Sequence, residues 1–400
     1  MTCAEGGKCF HGFGAHLMKE GGKRMMVDWR QILKKADGGR GGVLVTLVGV
    51  RGSSYRRVGA RLLVGGEGTA GSISGGCLEG ELVHRAKWLV EKGPMVQHYS
   101  TSFEDTEEIP YGLGCGGELD LLLEDVNSVE VQRLFAEVQQ VFGGVRRRVV
   151  TWLPGEGRPL RRAIFSVGED EATELIFSSE GMSADELVAP SVGMPDGTVG
   201  APCEPNTFVE TLEPPQRLVV FGAGEDARPL VTMGALLGWN VVVADGRRQL
   251  ARRERFPEAE RVVVLEDGEP MELREDDAVV VMTHSYEQDR ATLETTLPRM
   301  PKYLGLLGAR HRSSLLVSEA ADRLGWSVAQ CCDRLYAPVG LDLGGDGAEA
   351  IALAVVAEIQ ACVQGKVGLS RRLRPEDVTE QVRRGDASKY LQAQCALGAV

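Results

Sequence analysis

Residues 219–227 read VVFGAGEDA, and this stretch decides the fold of the second half of the chain. It places Gly222, Gly224 and Ala227 in the spacing G-x-G-x-x-A, after an apolar run that indicates a buried strand and before a helical pattern. The first glycine permits a tight turn, the second lets a phosphate approach the backbone, and the helix N-terminus carries partial positive charge. The stretch therefore predicts the first strand, turn and helix of a Rossmann-type sheet.

A carboxylate stands at the end of the next apolar run, NVVVAD. Asp245 lies 23 residues after Gly222, where dinucleotide-binding proteins place the carboxylate that binds a ribose. Glu225 adds a carboxylate inside the phosphate loop, where it would repel a phosphate. The pattern therefore predicts the fold, while Glu225 counts against a bound NAD(P).

The region 217–365 alternates apolar strands with helices, which is typical of a doubly wound parallel sheet. Open α/β sheets bind their ligands beyond the carboxyl ends of the strands, and three such ends carry polar residues. These are His284 in VVVMTHSYEQD, Arg310 in YLGLLGARH and Asp342 in YAPVGLDLGGDG. We expect them to share one edge of the sheet, where Arg310 would suit an anionic group.

The first part of the chain, 27–125, mixes helices with short strands. An amphipathic helix (VDWRQILKKA) precedes a buried strand at 41–50, a hairpin that starts at Arg61–Val64, a helix after Cys77 and a strand in ELDLLLE. A middle α/β segment, 126–213, continues this module, and the paired prolines of EPPQR predict a linker. The predicted fold class is α/β, with an N-terminal mixed α/β domain followed by a Rossmann-like domain.

Two glycine-rich stretches of the first part each hold a cysteine. They are GSISGGCLEG (71–80) and GLGCGGE (112–118). Cys77 precedes a helical pattern, and a helix N-terminus lowers the pKa of a thiol placed there. Glycines offer little to bury a thiol, so Cys77 and Cys115 should be accessible; a buried, inert cysteine is the ordinary alternative. The candidate site residues from these stretches are Gly75, Gly76, Cys77, Glu79, Cys115 and Gly116.

The stretch RGSSYRRVGARL (51–62) offers hydroxyls and guanidinium groups in a glycine-flanked loop. Ser53, Ser54 and Arg56 have the composition of an anion-binding loop. A solvated turn is the alternative.

The composition excludes some classes of protein. The net charge of −12 argues against a generic nucleic-acid binder, and no apolar run is long enough to span a membrane. Nine cysteines at irregular spacings do not form a disulfide framework, which predicts a reducing, cytoplasmic location. We expect residues 1–26 to form a disordered leader and residues 366–400 a polar tail.

Taken together, these stretches resemble the XdhC/CoxI family of molybdenum-enzyme accessory factors. The residues that carry the resemblance are GSSYRRVGARLLV, GSISGGCLEGELV, GLGCGGELDLLLE, FGAGEDARPL, VMTHSYEQD, YLGLLGARHR and APVGLDLGGDGAEAIALAVVAEI. They occur in order over about residues 28–365. Glu225 departs from the family pattern, in which histidine is common at that position.

The resemblance implies an N-terminal XdhC/CoxI-type domain (27–125) and a function in molybdenum cofactor insertion. Such a protein would bind molybdopterin or its dinucleotide form, protect it during sulfuration by a cysteine desulfurase, and deliver it to a molybdenum hydroxylase apoenzyme, with little or no turnover of its own. Cys77 and Cys115 become candidate ligands of the molybdenum or its dithiolene. The loop at Ser53–Arg57 and the Rossmann edge become candidate binders of the phosphate or dinucleotide part. We also expect a homodimer.

Two other functions stay open at this point. One is an NAD(P)-dependent oxidoreductase in which His284 is the acid or base. The other is a redox sensor or scaffold whose thiols respond to oxidants.

Overall fold

The computed structural model describes residues 21–37, 41–66, 68–76, 78–100, 117–155, 157–168, 170, 172–183, 187, 206–265 and 271–366. The chain forms two compact units that divide between Pro214 and Pro215, inside the predicted linker. Cys77, Cys115 and Gly116 lie outside the described residues, as do residues 1–20 and 367–400 of the predicted leader and tail.

The first unit holds three helices and nine strands among its described residues. The helices are α1 (Gly21–Ala36), α2 (Glu79–Leu89) and α3 (Val129–Phe142). The strands are β1 (Gly42–Arg51), β2 (Arg61–Gly65), β3 (Gly68–Gly71), β4 (Met95–Ser100), β5 (Glu118–Asp125), β6 (Arg146–Trp152), β7 (Arg161–Val167), β8 (Thr173–Ser178) and β9 (Thr207–Leu212). Helix α1 begins at Gly21, six residues before the start at Val27 that the sequence predicted. Strands β4 and β9 were not anticipated.

These strands form two antiparallel sheets, in the orders β3-β2-β1-β5-β4 and β8-β7-β6-β9. One core joins residues of both sheets to α1 and α3, with Trp29, Leu44, Phe135, Ile164 and Leu212 among its members. Helix α2 covers the other face of the first sheet. The middle segment is therefore packed into the same core as the residues that precede it.

Two buried ion pairs link the sheets. Arg61 of β2 pairs with Glu210 of β9, and Arg162 of β7 pairs with Glu124 of β5; each of the four side chains is at most 3% exposed. Buried charges of this kind require their partners, because an unpaired charge in the interior is costly.

The second unit is built on β10 (Arg217–Phe221), β11 (Asn240–Asp245), β12 (Arg261–Val264), β13 (Ala278–Val281) and β14 (Tyr303–Leu306). All neighbouring pairs are parallel, in the order β12-β11-β10-β13-β14. The helices are α4 (Ala227–Leu236), α5 (Tyr286–Thr296), α6 (Arg310–Leu324), α7 (Val328–Cys332) and α8 (Ala348–Val363), with short 3₁₀ turns at Arg253–Arg255 and Leu297–Arg299.

The strands are apolar along their length because helices cover both faces of the sheet. Helices α4 and α8 pack on one face, and α5 and α6 pack on the other. Strands β10, β11 and β12 follow one another in one direction, and β13 and β14 continue on the other side of β10. The switch point, at which open sheets of this kind bind ligands, therefore lies between the carboxyl ends of β10 and β13.

Candidate functional site

Three loops of the first unit leave the same end of the first sheet. Arg51, which ends β1, pairs with Glu118, which begins β5, and Ser100, which ends β4, also pairs with Glu118. The beginning of β2 and the end of β3 face the same way, because all neighbouring strands are antiparallel. We call this end, where the connections 52–60, 72–78 and 101–117 leave the sheet, the loop edge. Ser53 lies in the first connection, whereas Cys77 and Cys115 belong to the other two and lie outside the described residues.

The carboxylate of Glu79 organises the loop that precedes α2. Its Oε1 accepts hydrogen bonds from the amides of Ile73 (3.1 Å) and Ser74 (2.8 Å) and from the hydroxyl of Ser72 (3.1 Å). Its Oε2 accepts from the amide of Gly76 (3.1 Å) and from the hydroxyl of Ser74. Glu79 is thus saturated by its own loop and has the structural role of holding that loop in shape.

The pKa of Glu79 reflects these contacts. Burial acts to raise the pKa, but the hydrogen bonds from Ser74 and the backbone amides outweigh it, and the pKa lies below its ordinary value. The carboxylate is therefore ionised at neutral pH. Gly75 and Gly76 lie exposed at the tip of the loop, with open space where a Cβ would stand.

The residues of loop 52–60 that were predicted to bind an anion differ in their burial and in their partners. Ser53 is exposed and Ser54 is half-buried. Arg56 forms an ion pair with Asp28 of α1, so this guanidinium anchors the loop to the helix. Burial raises the pKa of Asp28, and the nearby Arg56 opposes that rise. Of this set, only Arg56 is shown to be engaged by another part of the first unit.

A charged cluster beside the loop edge was not predicted. Arg51 Nε donates to Glu118 at 2.7 Å, and His98 Nδ1 lies 2.8 Å from Asp120 Oδ1. A Cβ on Gly49 would lie 2.5 Å from Asp120 Oδ2, so the glycine makes room for this carboxylate. Alternation of polar residues in ELDLLLE was the signal for such an exposed row.

In the second unit, the glycine loop follows β10 and crosses to the end of β13. Gly222 has φ +127°, and a Cβ there would lie 2.3 Å from the carbonyl oxygen of Met282. A Cβ on Gly224 would lie 2.5 Å from Asp226 Oδ1. Gly222 is thus required by its close approach to the backbone that follows β13, whereas a Cβ on Gly224 would meet only the end of the Asp226 side chain.

Asp245 is buried at the end of β11 and is fully engaged by the protein. Its oxygens accept from the amide of Ala223 at 2.7 Å and from the backbone amide, Nε and Nη2 of Arg247 at 2.7–2.9 Å. Burial acts to raise the pKa of Asp245, but these bonds outweigh it and lower the pKa. Asp245, which was predicted to bind a ribose, contacts the glycine loop in the structure through the amide of Ala223.

His284 follows β13 with a left-handed backbone, φ +64°. Its Nε2 lies 2.8 Å from Oδ2 of Asp226, which precedes α4, and its side chain is 58% exposed. The preceding Thr283 is held by Asp289, whose Oδ1 accepts from the Thr283 amide and hydroxyl. The buried Asp289 also accepts from Arg312 at 2.7 Å. Sequence reasoning missed Asp226, Asp289 and Arg312.

Arg310 and Asp342 lie at the same edge of the sheet without contacting His284. Arg310 is exposed at the beginning of α6, and Asp342 is exposed in the loop that precedes α8. Neither side chain hydrogen bonds to another of the residues that the structure describes. The topology brings these loops to one edge, but their side chains form no common cluster there.

Within the described part of the chain, no group of three or more His, Cys, Asp or Glu side chains could hold a metal ion. None of the described helices combines the length and apolarity needed to cross a membrane.

Comparison with known proteins decides the family. Residues 36–100 match the model of the XdhC and CoxI family, and residues 218–359 match the model of the XdhC Rossmann domain. A protein of Bacillus subtilis described as a probable subunit of xanthine dehydrogenase is 30% identical over 328 residues, which are 79% of this chain and 92% of that protein. The chain belongs to the XdhC/CoxI family.

Two further relatives agree with this assignment. The molybdenum cofactor insertion chaperone PaoD of Escherichia coli is 25% identical over 80% of this chain and 83% of its own. A crystal structure described as a xanthine dehydrogenase from Bacillus halodurans superposes with a TM-score of 0.68 at 26% identity, over 88% of this chain and 99% of that one. The predicted family and the predicted fold class are both confirmed.

The two matched regions of this XdhC-family chain contain different parts of the candidate site. The XdhC and CoxI match includes loops 52–60 and 72–78 of the loop edge. The Rossmann match includes Gly222, Asp245, His284, Arg310 and Asp342. Each unit therefore contributes its own set of candidate residues.

Proposed function

We propose that this protein binds the molybdenum cofactor and delivers it to a molybdenum hydroxylase of the xanthine dehydrogenase or CO dehydrogenase type. Membership of the XdhC/CoxI family supports this function, as does the name of the relative PaoD. In this proposal the protein is a carrier, and the cofactor is its cargo.

The observation that carries the proposal is that three connections leave the first sheet at the same place, the loop edge. Two of these loops contain Cys77 and Cys115, and the third contains Ser53 and Ser54. Thiolates are the ligands that soft metals prefer, and hydroxyls with free amides suit a phosphate. One edge of one sheet thus supplies loops with both kinds of group that the cofactor needs.

The contact between Gly117 and Ser53 brings two of these loops together. A Cβ on Gly117 would lie 2.1 Å from the carbonyl oxygen of Ser53, so the end of the Cys115 loop packs on the Ser53 loop. Glu79 holds the third loop in a compact turn from Ser72 to Gly76. In our proposal, Cys77 and Cys115 hold the molybdenum or its dithiolene, and the serines hold the phosphate.

Several finer points belong to the same proposal. The cargo is molybdopterin or its dinucleotide form, and it is sulfurated by a cysteine desulfurase while the carrier protects it. The carrier acts in the cytoplasm as a homodimer. Protection by two thiolates in glycine-rich loops fits such a role, because glycines let the backbone approach the cargo closely.

Retention of released molybdenum cofactor tests the proposal. Purified protein is mixed anaerobically with the cofactor and filtered, and the molybdenum retained per chain is measured. We expect retention by the wild type, a loss in Cys77→Ala and in Cys115→Ala, and the lowest retention in the double variant. Cys332→Ala, at an exposed cysteine of the second unit, is the matched control. Equal retention by the wild type and the double variant would overturn the proposed role of the cysteines.

Delivery is tested separately. Loaded protein is added to the apoenzyme of a molybdenum hydroxylase, with and without a cysteine desulfurase, and the recovered activity is measured. We expect recovery to depend on the loaded carrier and to increase with the desulfurase. Free cofactor alone serves as the control, and recovery that is no better with the carrier contradicts delivery.

A further inference from the structure

A pocket of the first unit lies at the end of the first sheet opposite the loop edge. Gly41, which precedes β1, and Gly65, which ends β2, both line this pocket, whereas Arg51 ends β1 at the loop edge. The ten residues of β1 separate the two ends by about 30 Å. A ligand in this pocket is therefore a different molecule from a cargo held at the loop edge.

The pocket has the volume of a small-molecule site. It measures about 760 Å³, within the range of about 300–1,000 Å³ that is usual for ligand sites. Helix α1 forms one wall, and the hairpin of β2 and β3 forms a second. The third wall is the beginning of α3 with the turn that precedes it. All three walls belong to the first unit, so the pocket is complete within it.

Apolar side chains form the floor of the pocket. Leu63 of β2, Val126 and Phe135 of α3 are its most buried lining residues, and Leu63 and Phe135 belong to the core that joins the two sheets. Ala36 and Ala70, both half-buried, leave room above this floor because their side chains are small. An apolar ring can therefore lie on the floor without covering a charged group.

The charged side chains that line the pocket are cations. Lys34 and Lys35 lie in the last turn of α1, and no aspartate or glutamate lines the pocket within the described part of the chain. Lys35 lies along the hairpin, since a Cβ on Gly65 would be 3.6 Å from its Cε, and it has a further interaction within the protein. Lys34 is exposed. A cleft lined by one sign of charge attracts ligands of the opposite sign, here in a chain with a net charge of −12.

The wall at the beginning of α3 is held in place by its own hydrogen bonds. Asp125 does not line the pocket, and its Oδ1 accepts from the amide of Asn127 at 2.9 Å and from Asn127 Nδ2 at 2.8 Å. Gln132 Nε2 donates to the carbonyl of Val126 at 2.6 Å. The wall is thus formed before a ligand arrives, which lowers the entropic cost of binding.

We propose that this pocket binds a small organic anion, with a flat apolar group on the floor of Leu63 and Phe135 and a phosphate or carboxylate group against Lys34 and Lys35. An ammonium group acts as a point charge and binds either kind of anion. The hydroxyl of Thr69, which also lines the pocket, is a further donor. This inference goes beyond the proposed function and does not depend on it.

Pyridoxal phosphate is a probe for this site, because it carries an aromatic ring, a phosphate and an aldehyde. The aldehyde condenses with a lysine amine with loss of water, and borohydride reduces the resulting imine to a stable amine. The full chain is treated with increasing concentrations of the probe, reduced and digested, and mass spectrometry measures the labelled fraction of each lysine. We expect labelling of Lys34 or Lys35 to saturate at a concentration about tenfold or more below that needed for Lys87, an exposed lysine of α2.

Two competitors identify the anionic group. Phenyl phosphate and benzoate carry a ring and an anion but no aldehyde, so they occupy the site without labelling it. Protection of Lys34 and Lys35 by one or both of them supports the site and shows which anion it accepts. Labelling of these two lysines that neither competitor reduces, or that is no stronger than the labelling of Lys87, overturns the proposal.

A change at Thr69 tests the electrostatic part while both lysines stay available for labelling. Thr69 is exposed on β3, and Thr69→Glu adds a carboxylate to the lining. We expect it to lower the labelling of Lys34 and Lys35 about fivefold, the effect of about 1 kcal/mol from one added charge. Thr69→Gln, the neutral matched control, should stay within about twofold of the wild type.

Thermal unfolding checks that both variants are folded. Equal labelling of Lys34 and Lys35 in Thr69→Glu and Thr69→Gln would also overturn the proposal. Cysteine-dependent retention of molybdenum would stand in each of these cases, so the two proposals fail separately.

Discussion

Gly117 lies against the backbone of Ser53 so closely that a Cβ on the glycine would be 2.1 Å from the carbonyl oxygen of the serine. Gly117 is buried and directly precedes β5, whereas Ser53 lies in the exposed loop that follows β1. The two strands are neighbours, so this contact fastens two loops of the loop edge to each other.

Gly117→Ala should therefore destabilise the first unit. Side chains forced into an occupied space typically cost about 1–3 kcal/mol, since the backbone must move. Urea unfolding measures the change in the free energy of unfolding. Gly75→Ala is the matched control, because a Cβ there meets open space, and its effect should stay within about 0.5 kcal/mol. Equal effects of the two changes would contradict the steric argument.

Glu79→Gln should loosen the loop from Ser72 to Gly76. It should also make the free energy of unfolding less dependent on pH in the acidic range. The pKa of Glu79 is lowered in the folded protein, so its contribution is fully present above the ordinary value of 4.5 and is lost as the pH falls through the lower folded value. At neutral pH we expect a loss of about 1–2 kcal/mol, because a neutral amide cannot accept from all these donors.

Urea unfolding between pH 7 and pH 3 checks this prediction. The stability difference between the wild type and Glu79→Gln should shrink as the pH falls below 4.5. Glu81→Gln, further into α2 and paired with Arg85 at the surface, is the control. A difference that stays constant over the whole pH range would refute the ionic role of Glu79.

The buried pair of Arg61 and Glu210 should behave as a unit. Removing either partner alone leaves a buried charge without its partner, which costs about 3–5 kcal/mol. Arg61 also lies over the ring of Trp29, 4.5 Å from its centroid, so Arg61→Met keeps part of that packing. We expect the double variant Arg61→Met/Glu210→Leu to be more stable than Glu210→Leu alone.

A double-mutant cycle of urea unfolding measures this coupling. The coupling energy should exceed about 1 kcal/mol, the range for residues in direct contact. Additive effects of the two changes would show that the pair does not link β2 to β9.

Asp245→Ala should destabilise the second unit by about 3 kcal/mol or more. The change leaves the amide of Ala223 and the guanidinium of Arg247 without their acceptor, and both lie at the base of the glycine loop. Asp342→Ala removes an exposed carboxylate from the same edge and should change stability by no more than about 0.5 kcal/mol. Thermal unfolding compares the two variants, and a similar small shift for both would disprove the bracing role.

Much of the fold could be predicted because its signals are local. The run VVFGAGEDA specifies a strand, a glycine turn and a helix in nine residues, and the structure has β10 and α4 at those positions. Ser285 caps the start of α5, with its hydroxyl accepting from the amide of Gln288, three residues further along the chain. Strand β9 was not predicted because TFVETL shows no clear alternation of polar and apolar residues. All six of its residues are buried in the structure.

The candidate site was predicted less completely, because a residue type does not reveal which partner it will find. Arg56 and Asp245 are of residue types that often bind ligands. In the structure, Arg56 forms an ion pair with Asp28, and Asp245 forms one with Arg247. Asp226 was not predicted as a site residue, although its carboxylate accepts the hydrogen bond that orients His284. Cys77 and Cys115 remain predictions, since they lie outside the described residues.

The sequence by itself determined the family, the order of strands and helices in the Rossmann unit, and the presence of cysteines in glycine-rich loops. Those properties depend on neighbouring residues and on spacing, which a chain carries before it folds. Only the tertiary structure decided that three loops leave one edge of the first sheet, that Glu79 and Asp245 serve their own loops, and that Asp226 meets His284 across the switch point. Each of these depends on residues far apart in the chain, and strand pairing alone sets which of them come within hydrogen-bonding distance.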